Sequence, residues 1–324
     1  MRFDNLDLHS PEELVKLKEL HNVLFPSTNA SLDWIKWCFL RRSEHQNPRH
    51  FTRAWCVWDE DRLVGLWCVE PKDLSIDREI SYKNTSGWAK VGRCFSVGIH
   101  PDYRRKNLFT ELSTFAIGQE RALTKYDYIL GFPQAGRPVV DAHLKAGWEV
   151  TQEIATRSFS PKDQALEPLS LSNCSHLFIR DFCDVTSCPF KPVGGFREIA
   201  VSKNVRWLAN PDNFYLCFRQ GRAQMVLKPY AGHCHLLDLD VGDSDRDLES
   251  LLNVAKSLAT RHKWSEVSAW CAENDEMRHV FERCGFQKGA CSTRPVVLLS
   301  VKINARESLK FETCRFDLGV EESY

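Results

Sequence analysis

The chain has no excess of charge of either sign: 43 Lys and Arg stand against 43 Asp and Glu in 324 residues. Nothing in that balance draws the whole molecule to nucleic acid or to an anionic membrane, although a local basic cluster remains compatible with it. There is no apolar run near the ~20 residues that a membrane-crossing helix needs. Met1 to Ser10 is polar and acidic, without the basic-then-apolar pattern of a secretory leader, so a cytoplasmic protein is expected. Close cysteine pairs are also missing. The 13 cysteines are scattered and odd in number, so most are expected to be buried thiols that act as small apolar residues. Cys174-x-His176, Cys183-x4-Cys188 and His233-Cys234-His235 lack the matched second pair of a zinc site, and no metal is expected.

What is present is ordinary globular material, 43% hydrophobic and 27% charged. The length exceeds one usual domain and points to two. Ten tryptophans, with Trp55, Trp58 and Trp67 in apolar runs, are expected in the core.

Ser10-Pro11-Glu12-Glu13 opens a helix, with Ser10 as cap, Pro11 at the first helical position and Glu13 able to reach back. Leu14, Leu17, Leu20 and Leu24 continue it until Pro26, and a second helix is expected from Leu32 to Leu40. The apolar segments 51–58 and 63–69, joined by Asp59-Glu60-Asp61, read as a hairpin. A long strand spans Val91 to Ile99 and ends at Pro101. A helix from about Leu108 to Leu123, a strand from Tyr128 to Phe132, a helix from Pro138 to Ala146 capped by Gly147, and a strand from Trp148 follow.

Residues 160–175 are polar, carry Pro161 and Pro168, and read as a linker. Beyond it the order recurs: a hairpin over 214–218 and 223–228, a strand at 235–239, a helix at 247–258, a strand at 267–271 and a helix at 275–284. Gly285-Phe286 then stands where Gly147-Trp148 stands in the first half. This is the mark of an internal duplication. The expected division is 1–160, a linker 161–175, a second unit 176–305 and a tail 306–324. The mixture of hairpins, helices and strands places both units in the α/β (α+β) class.

The segment with chemistry in it is Val97-Gly-Ile-His-Pro-Asp-Tyr-Arg-Arg-Lys-Asn-Leu-Phe-Thr110. A strand ends, the chain turns through three cations, and a helix begins. The first N–H groups of a helix lack intrahelical partners and sit at its positive end. Arg104, Arg105 and Lys106 add charge, so the natural guest is a pyrophosphate; taken alone, the three cations would sooner suit a solvated helix start.

This stretch resembles the coenzyme A loop of the GNAT (Gcn5-related N-acetyltransferase) superfamily, Arg/Gln-x-x-Gly-x-Gly/Ala. Here it reads Arg104-x-x-Asn107-x-Phe109. Asn tolerates the left-handed backbone that the first Gly provides. A Phe at the last position, a Gly131-Phe-Pro-Gln134 strand end and Gly147-Trp148 resemble the subgroup associated with surface-polysaccharide synthesis.

The resemblance implies tandem GNAT folds, each a mixed, mostly antiparallel sheet flanked by helices. Acetyl-CoA or another acyl-CoA would be the co-substrate, lying between the strand ending at Ile99 and the strand 128–132. Val97, Gly98 and Ile99 would meet its pantetheine arm and polarise the thioester. Arg104, Arg105, Lys106, Asn107, Leu108 and Phe109 would hold the pyrophosphate. Gln134 would bind pantetheine or acceptor, or be a surface amide. The family often has a Tyr four residues before the helix-ending Gly, to protonate the leaving thiolate; here that position is His143. Its imidazole either supplies that proton or only hydrogen-bonds a neighbour. Glu70, Glu79 and Asp141 are candidate bases.

In the second copy the matching stretch, Asp240-Val-Gly-Asp-Ser-Asp-Arg-Asp247, is acidic and would repel a pyrophosphate, and Phe281 takes the acid position. One active site, in the first half, is therefore expected. The activity implied is N-acyl transfer to a small amine, with an amino sugar as the subgroup's indication. A non-catalytic acyl-CoA sensor and an interaction module are the alternatives.

Overall fold

The computed structural model describes residues 1–41, 52–75, 88–161, 175–178, 197–198, 215–220, 223–230, 232–240, 244–272, 277–288 and 295–305. The expected linker but for its two end residues, the tail, Glu79, Cys174, Cys183 and Cys188 lie outside them.

The first helix, α1 (Pro11–Leu24), starts as its sequence dictates: Ser10 Oγ accepts from Glu13 N–H at 3.4 Å. Glu13 reaches back beyond the cap, to Asp7 N–H at 2.7 Å. Helix α2 (Leu32–Lys36) is capped by Ser31 and continues as one turn of π-helix, Trp37–Arg41. The single helix expected over 32–40 is therefore two turns of different pitch, and together they bury Trp34, Ile35, Trp37, Cys38 and Phe39. Full burial of each such side chain is worth roughly 1.5–3 kcal/mol before ordering costs.

The first strands along the chain are β1 (Arg2–Asn5), β2 (Arg53–Asp59), β3 (Arg62–Ser75), β4 (Trp88–Ile99) and β5 (Tyr128–Gly131). Strand β1 was not foreseen, because only Phe3 among its residues turns an apolar side chain inward; it is held by backbone pairing to β2 and by Arg2 lying 5.8 Å over the Trp58 ring. Helices α1 and α2 cover one face of β2–β4, with Leu14, Leu17, Leu20, Cys56, Leu66 and Phe95 between them. Helix α3 (Leu108–Leu123) covers the other face through Leu108, Leu112, Ala116 and Ile117. Helix α4 (Pro138–Lys145) and β6 (Glu149–Phe159) complete this half.

The second half contains β7 (Ser175–Phe178), β8 (Arg197–Glu198), β9 (Leu216–Gln220), β10 (Ala223–Tyr230), β11 (His233–Asp240), helix α5 (Asp245–Arg261), β12 (Val267–Ala272), helix α6 (Arg278–Arg283), β13 (Gln287–Lys288) and β14 (Val296–Lys302). Its core gathers Met225, Leu227, Leu236, Leu251, Ala255, Val267 and Phe281.

The duplication is visible in backbone detail. Trp148 N–H bonds His143 O at 3.2 Å across Gly147, and Phe286 N–H bonds Phe281 O at 2.9 Å across Gly285. Both glycines are left-handed, with φ of +88° and +81°. This is the helix-ending turn in which only glycine avoids a Cβ penalty.

Among the described residues the halves share one sheet of 14 strands, in the order β1-β2-β3-β4-β5-β14-β6-β12-β11-β10-β9-β7, with β13 on β6 and β8 on β3. Strand β14, the run Val-Val-Leu-Leu-Ser-Val-Lys that the sequence reading left unassigned, lies between β5 and β6 and is antiparallel to both. Strand β6 in turn pairs with β12 over Ile154–Phe159. Each half thus supplies a strand beside the other's. No helix among the described residues is long and apolar enough to cross a membrane.

Candidate active site

Strands β4 and β5 run parallel for three residue pairs only, Val91–Tyr128, Gly92–Ile129 and Arg93–Leu130. Beyond Arg93 the β5-facing edge of β4 has no strand partner among the described residues, and the sheet opens into a cleft. At this point β4 carries an extra residue: Leu66 and Cys68 on β3 face Gly98 and Phe95, a β-bulge, and Ser96 is left-handed at φ +47°. A bulge increases local twist and re-aims the strand's edge groups.

The cleft holds about 510 Å³. Its walls are Cys94–Val97 of β4, Gly131–Gln134 at the end of β5, and Leu24–Thr28 after α1. His21 and His143 reach it from helices, Arg137 from the turn before α4, and Trp270 and Val296 from the second half.

At the cleft's β4 end the chain makes a 3-10 turn, Pro101–Tyr103, and then enters α3. Arg105 (φ +64°) and Asn107 (φ +60°) are both left-handed, so the loop coils tightly before the helix. Asn107 is the N-cap, but its side chain makes no capping bond. Its value there is conformational: Asn accepts the left-handed region better than other residues with a Cβ. The first helical bond is Glu111 N–H to Asn107 O at 3.2 Å; the N–H groups before it are those a helix leaves for an anion.

The side chains of Arg104, Arg105, Lys106 and Asn107 are exposed around this start. Arg104 Nε bonds Ile99 O at 3.0 Å, which ties the loop to the strand end. Lys106 Nζ sits 5.1 Å over the Tyr103 ring, whose hydroxyl donates to Asp59 Oδ2 at 2.7 Å. Leu108 is buried in the α3 core. Phe109, bulky where the resembling pattern is small, packs edge-on against His143 with ring centroids 5.0 Å apart.

His143 is enclosed between Phe109 and Trp148, the latter ring at 4.6 Å, and is 2% exposed. Burial alone lowers its pKa from the ordinary 6.5 to about 3. The apolar enclosure disfavours the imidazolium that the sequence reading allowed at neutral pH. Its Nδ1 is buried with no hydrogen-bond partner, which is uncommon for a native polar group and calls for a reason. Phe281, in the same place in the second half, packs on Phe286 at 5.4 Å and presents no polar atom.

Gln134 lines the cleft and accepts from Arg137 Nε at 3.1 Å. The second half holds this loop in place: Gln134 bridges to Val296, Ala135 N–H bonds Pro295 O at 2.8 Å and Val297 N–H bonds Pro133 O at 3.0 Å. Trp270 stacks on Phe132 at 5.4 Å, and Tyr230 Oη donates to Ser27 O at 3.1 Å at the cleft's mouth. Arg137, His21 and Trp270 were absent from the sequence reading. The first follows Gly136 in a turn and could have been flagged by the adjacent strand end; the other two come from distant segments.

The candidate bases fare differently. Glu70 is fully buried and pairs with Arg93 Nε at 2.7 Å, away from the lining. Asp141 is exposed on α4. The start of α5, counterpart of the start of α3, carries Asp245 and Asp247; Asp245 is held by His279 at 2.9 Å and Arg283 at 3.2 Å, which keep its carboxyl below the usual range. Among the described residues no cluster of His, Cys, Asp and Glu could hold a metal. His233 and His235 bond Ser265 and Ser268 instead, each at 2.9 Å.

No family model and no curated protein matches the sequence. Solved structures do. A GCN5-related N-acetyltransferase from Kribbella flavida superposes with a TM-score of 0.61 at 14% identity, over 94% of this chain and 71% of that one. A tandem GNAT protein from the clavulanic acid biosynthesis pathway gives 0.60 at 12% identity, over 94% and 99%. Eis1 from Mycobacterium abscessus gives 0.57 at 12% identity, over 93% and 74%. With the splayed β4 and β5, the loop at the head of α3 and the repeated second half, these likenesses show that the chain has the GNAT fold in its tandem arrangement.

Proposed function

We propose that the protein transfers an acyl group, acetyl in the first instance, from coenzyme A to a small amine, using a single site in the first half. The observation that carries this reading is the continuity of the β4–β5 cleft with the cationic, left-handed loop at the start of α3. A nucleotide pyrophosphate fits the helix start, and an extended pantetheine arm fits the free edge of β4 at Val97, Gly98 and Ile99, with Gln134 opposite. The acidic, internally paired start of α5 offers no second such site.

In this reading the amine attacks the thioester carbonyl directly and the thiolate leaves. Backbone N–H groups near Val97–Ile99 stabilise the oxyanion. Neutral His143 donates a hydrogen bond toward the sulfur rather than a proton from an imidazolium, and Phe109 and Trp148 hold its ring in place. The amino-sugar indication rests on the subgroup resemblance alone.

Acetyl-CoA binding by calorimetry, wild type against Arg105→Glu/Lys106→Glu, tests the site. Micromolar binding abolished by the charge reversal supports it, and thiol release with a panel of amines then tests turnover. Binding without thiol release from any amine would make the chain an acyl-CoA sensor; no binding would remove the coenzyme A reading.

A further inference from the structure

Charge in the cleft is one-sided. Among the described residues of its lining, Arg137 is the one strongly basic side chain, and none is an aspartate or a glutamate. Burial lowers the pKa of the two lining histidines, His21 to about 4 and His143 to about 3, which disfavours charge on either. The amide of Gln134 and the hydroxyls of Ser27, Thr28 and Ser96 add polarity without charge.

The helix that follows does not account for Arg137. The residue stands at the N-cap of α4 and makes no capping bond there. It sets a cation at the positive end of the helix, where Ser, Asp or Asn would stabilise it. Among the described residues its side chain forms no ion pair and makes one hydrogen bond, from Nε to Gln134 Oε1 at 3.1 Å. Gln134 is held in turn by the second half, through its backbone bridge to Val296 and through the bond from Ala135 N–H to Pro295 O. The Nε bond orients the guanidinium and leaves both Nη groups, whose parallel N–H bonds match the two oxygens of a carboxylate. Arg137 is also exposed, so its charge carries no desolvation cost until a ligand arrives.

Resting on the acyl-transfer reading, we infer that Arg137 determines specificity and that the acceptor amine carries a carboxylate, as an amino acid does. The guanidinium holds the carboxylate in the cleft and leaves the amino group to attack the thioester. A single cation matches a single negative charge. A phosphate brings more charge than one guanidinium balances, and a polyamine brings charges of the wrong sign. An amino sugar qualifies only where it bears a carboxylate.

The test measures thiol release from acetyl-CoA with each common amino acid against its carboxamide, and with spermidine and phosphoethanolamine. It compares wild type, Arg137→Met and Arg137→Lys. For the wild type, kcat/KM for the best acid is expected at least about tenfold above that for its amide. Arg137→Met keeps the apolar stem without the charge, and should raise KM for the acid by about 10- to 100-fold. It should leave the amide's KM and acetyl-CoA affinity within about threefold, so that the preference for the acid disappears. Arg137→Lys keeps the charge, loses the fork and should fall between the two. A loss shared equally by acid and amide would reveal a structural role and overturn the inference. So would acetyl-CoA affinity lost with the Met variant, or a wild-type preference for spermidine, phosphoethanolamine or the amides. An Arg137-dependent preference for succinyl-CoA over acetyl-CoA would put the carboxylate on the donor and overturn it too. In each of these cases the acyl-transfer reading stands. Acetyl-CoA binding with no thiol release from any amine removes both.

Discussion

Replacing Asn107 isolates the backbone geometry of the proposed coenzyme A loop from its charge. Asn107 holds φ +60° and its side chain makes no capping bond, so a substitution there removes no hydrogen bond that the cap would otherwise owe it. A residue with an ordinary Cβ loses roughly 1–2 kcal/mol in the left-handed region, and Asn loses less. For Asn107→Ala the free loop escapes that cost by relaxing, which turns the α3 N–H groups away from the ligand. The cost then reappears when acetyl-CoA requires the coiled form. About 1 kcal/mol is a roughly fivefold weakening of binding, and a β-branched residue such as Val should cost about tenfold or more. Asn107→Gly, which adopts the conformation freely, should bind within twofold of wild type. Calorimetry on the four proteins at one salt concentration measures this. Equal affinities for the Ala and Gly variants would refute the argument that left-handed geometry at 107 aims the anion site.

Other consequences follow from burial. His21, His143 and His235 have pKa values lowered by burial to about 4, 3 and 4. The unfolded chain protonates them near 6.5, so it binds more protons than the folded one below that pH. Stability is therefore fully present above ~6.5 and falls as pH drops, by up to ~1.4 kcal/mol per pH unit for each histidine. Urea midpoints at pH 7 and pH 5.5 should differ accordingly, and a double His21→Phe/His143→Phe variant should show a shallower dependence; identical slopes would contradict the burial account. Phe109→Ala removes the ring that holds His143 and should destabilise by about 1–2 kcal/mol, while lowering kcat more than acetyl-CoA affinity in stopped-assay kinetics. Trp270→Ala strips the second half's wall from the cleft beside Phe132, and should raise the amine KM by about tenfold with little change in coenzyme A binding; an unchanged KM would place the acceptor elsewhere.

Much of the local structure could be read from short-range chemistry. Ser10 and Pro11 set the start of α1, Gly147 and Gly285 end equivalent helices, and the anion loop is a strand end, three cations and a helix start within a dozen residues. Each of these depends on neighbours in the chain, so the sequence states it directly. Strand β1 was missed because a mostly polar edge strand has little apolar alternation to detect. Strand β14 was missed because an apolar run near a chain's end has no partner visible in sequence.

The sequence by itself determined the duplicated α/β units, the cationic head of α3 and its acidic counterpart at α5. Tertiary structure alone decided that β6 and β14 stand beside the other half's strands, which brings Val296 and Trp270 to a cleft built more than a hundred residues earlier. It also decided that burial lowers the pKa of His143 and that His21, 122 positions before it, lines the same cleft. The reason is physical: strand pairing, burial and the pKa values that burial shifts depend on which atoms share space and exclude water, and local periodicity along a chain does not encode those distant neighbours.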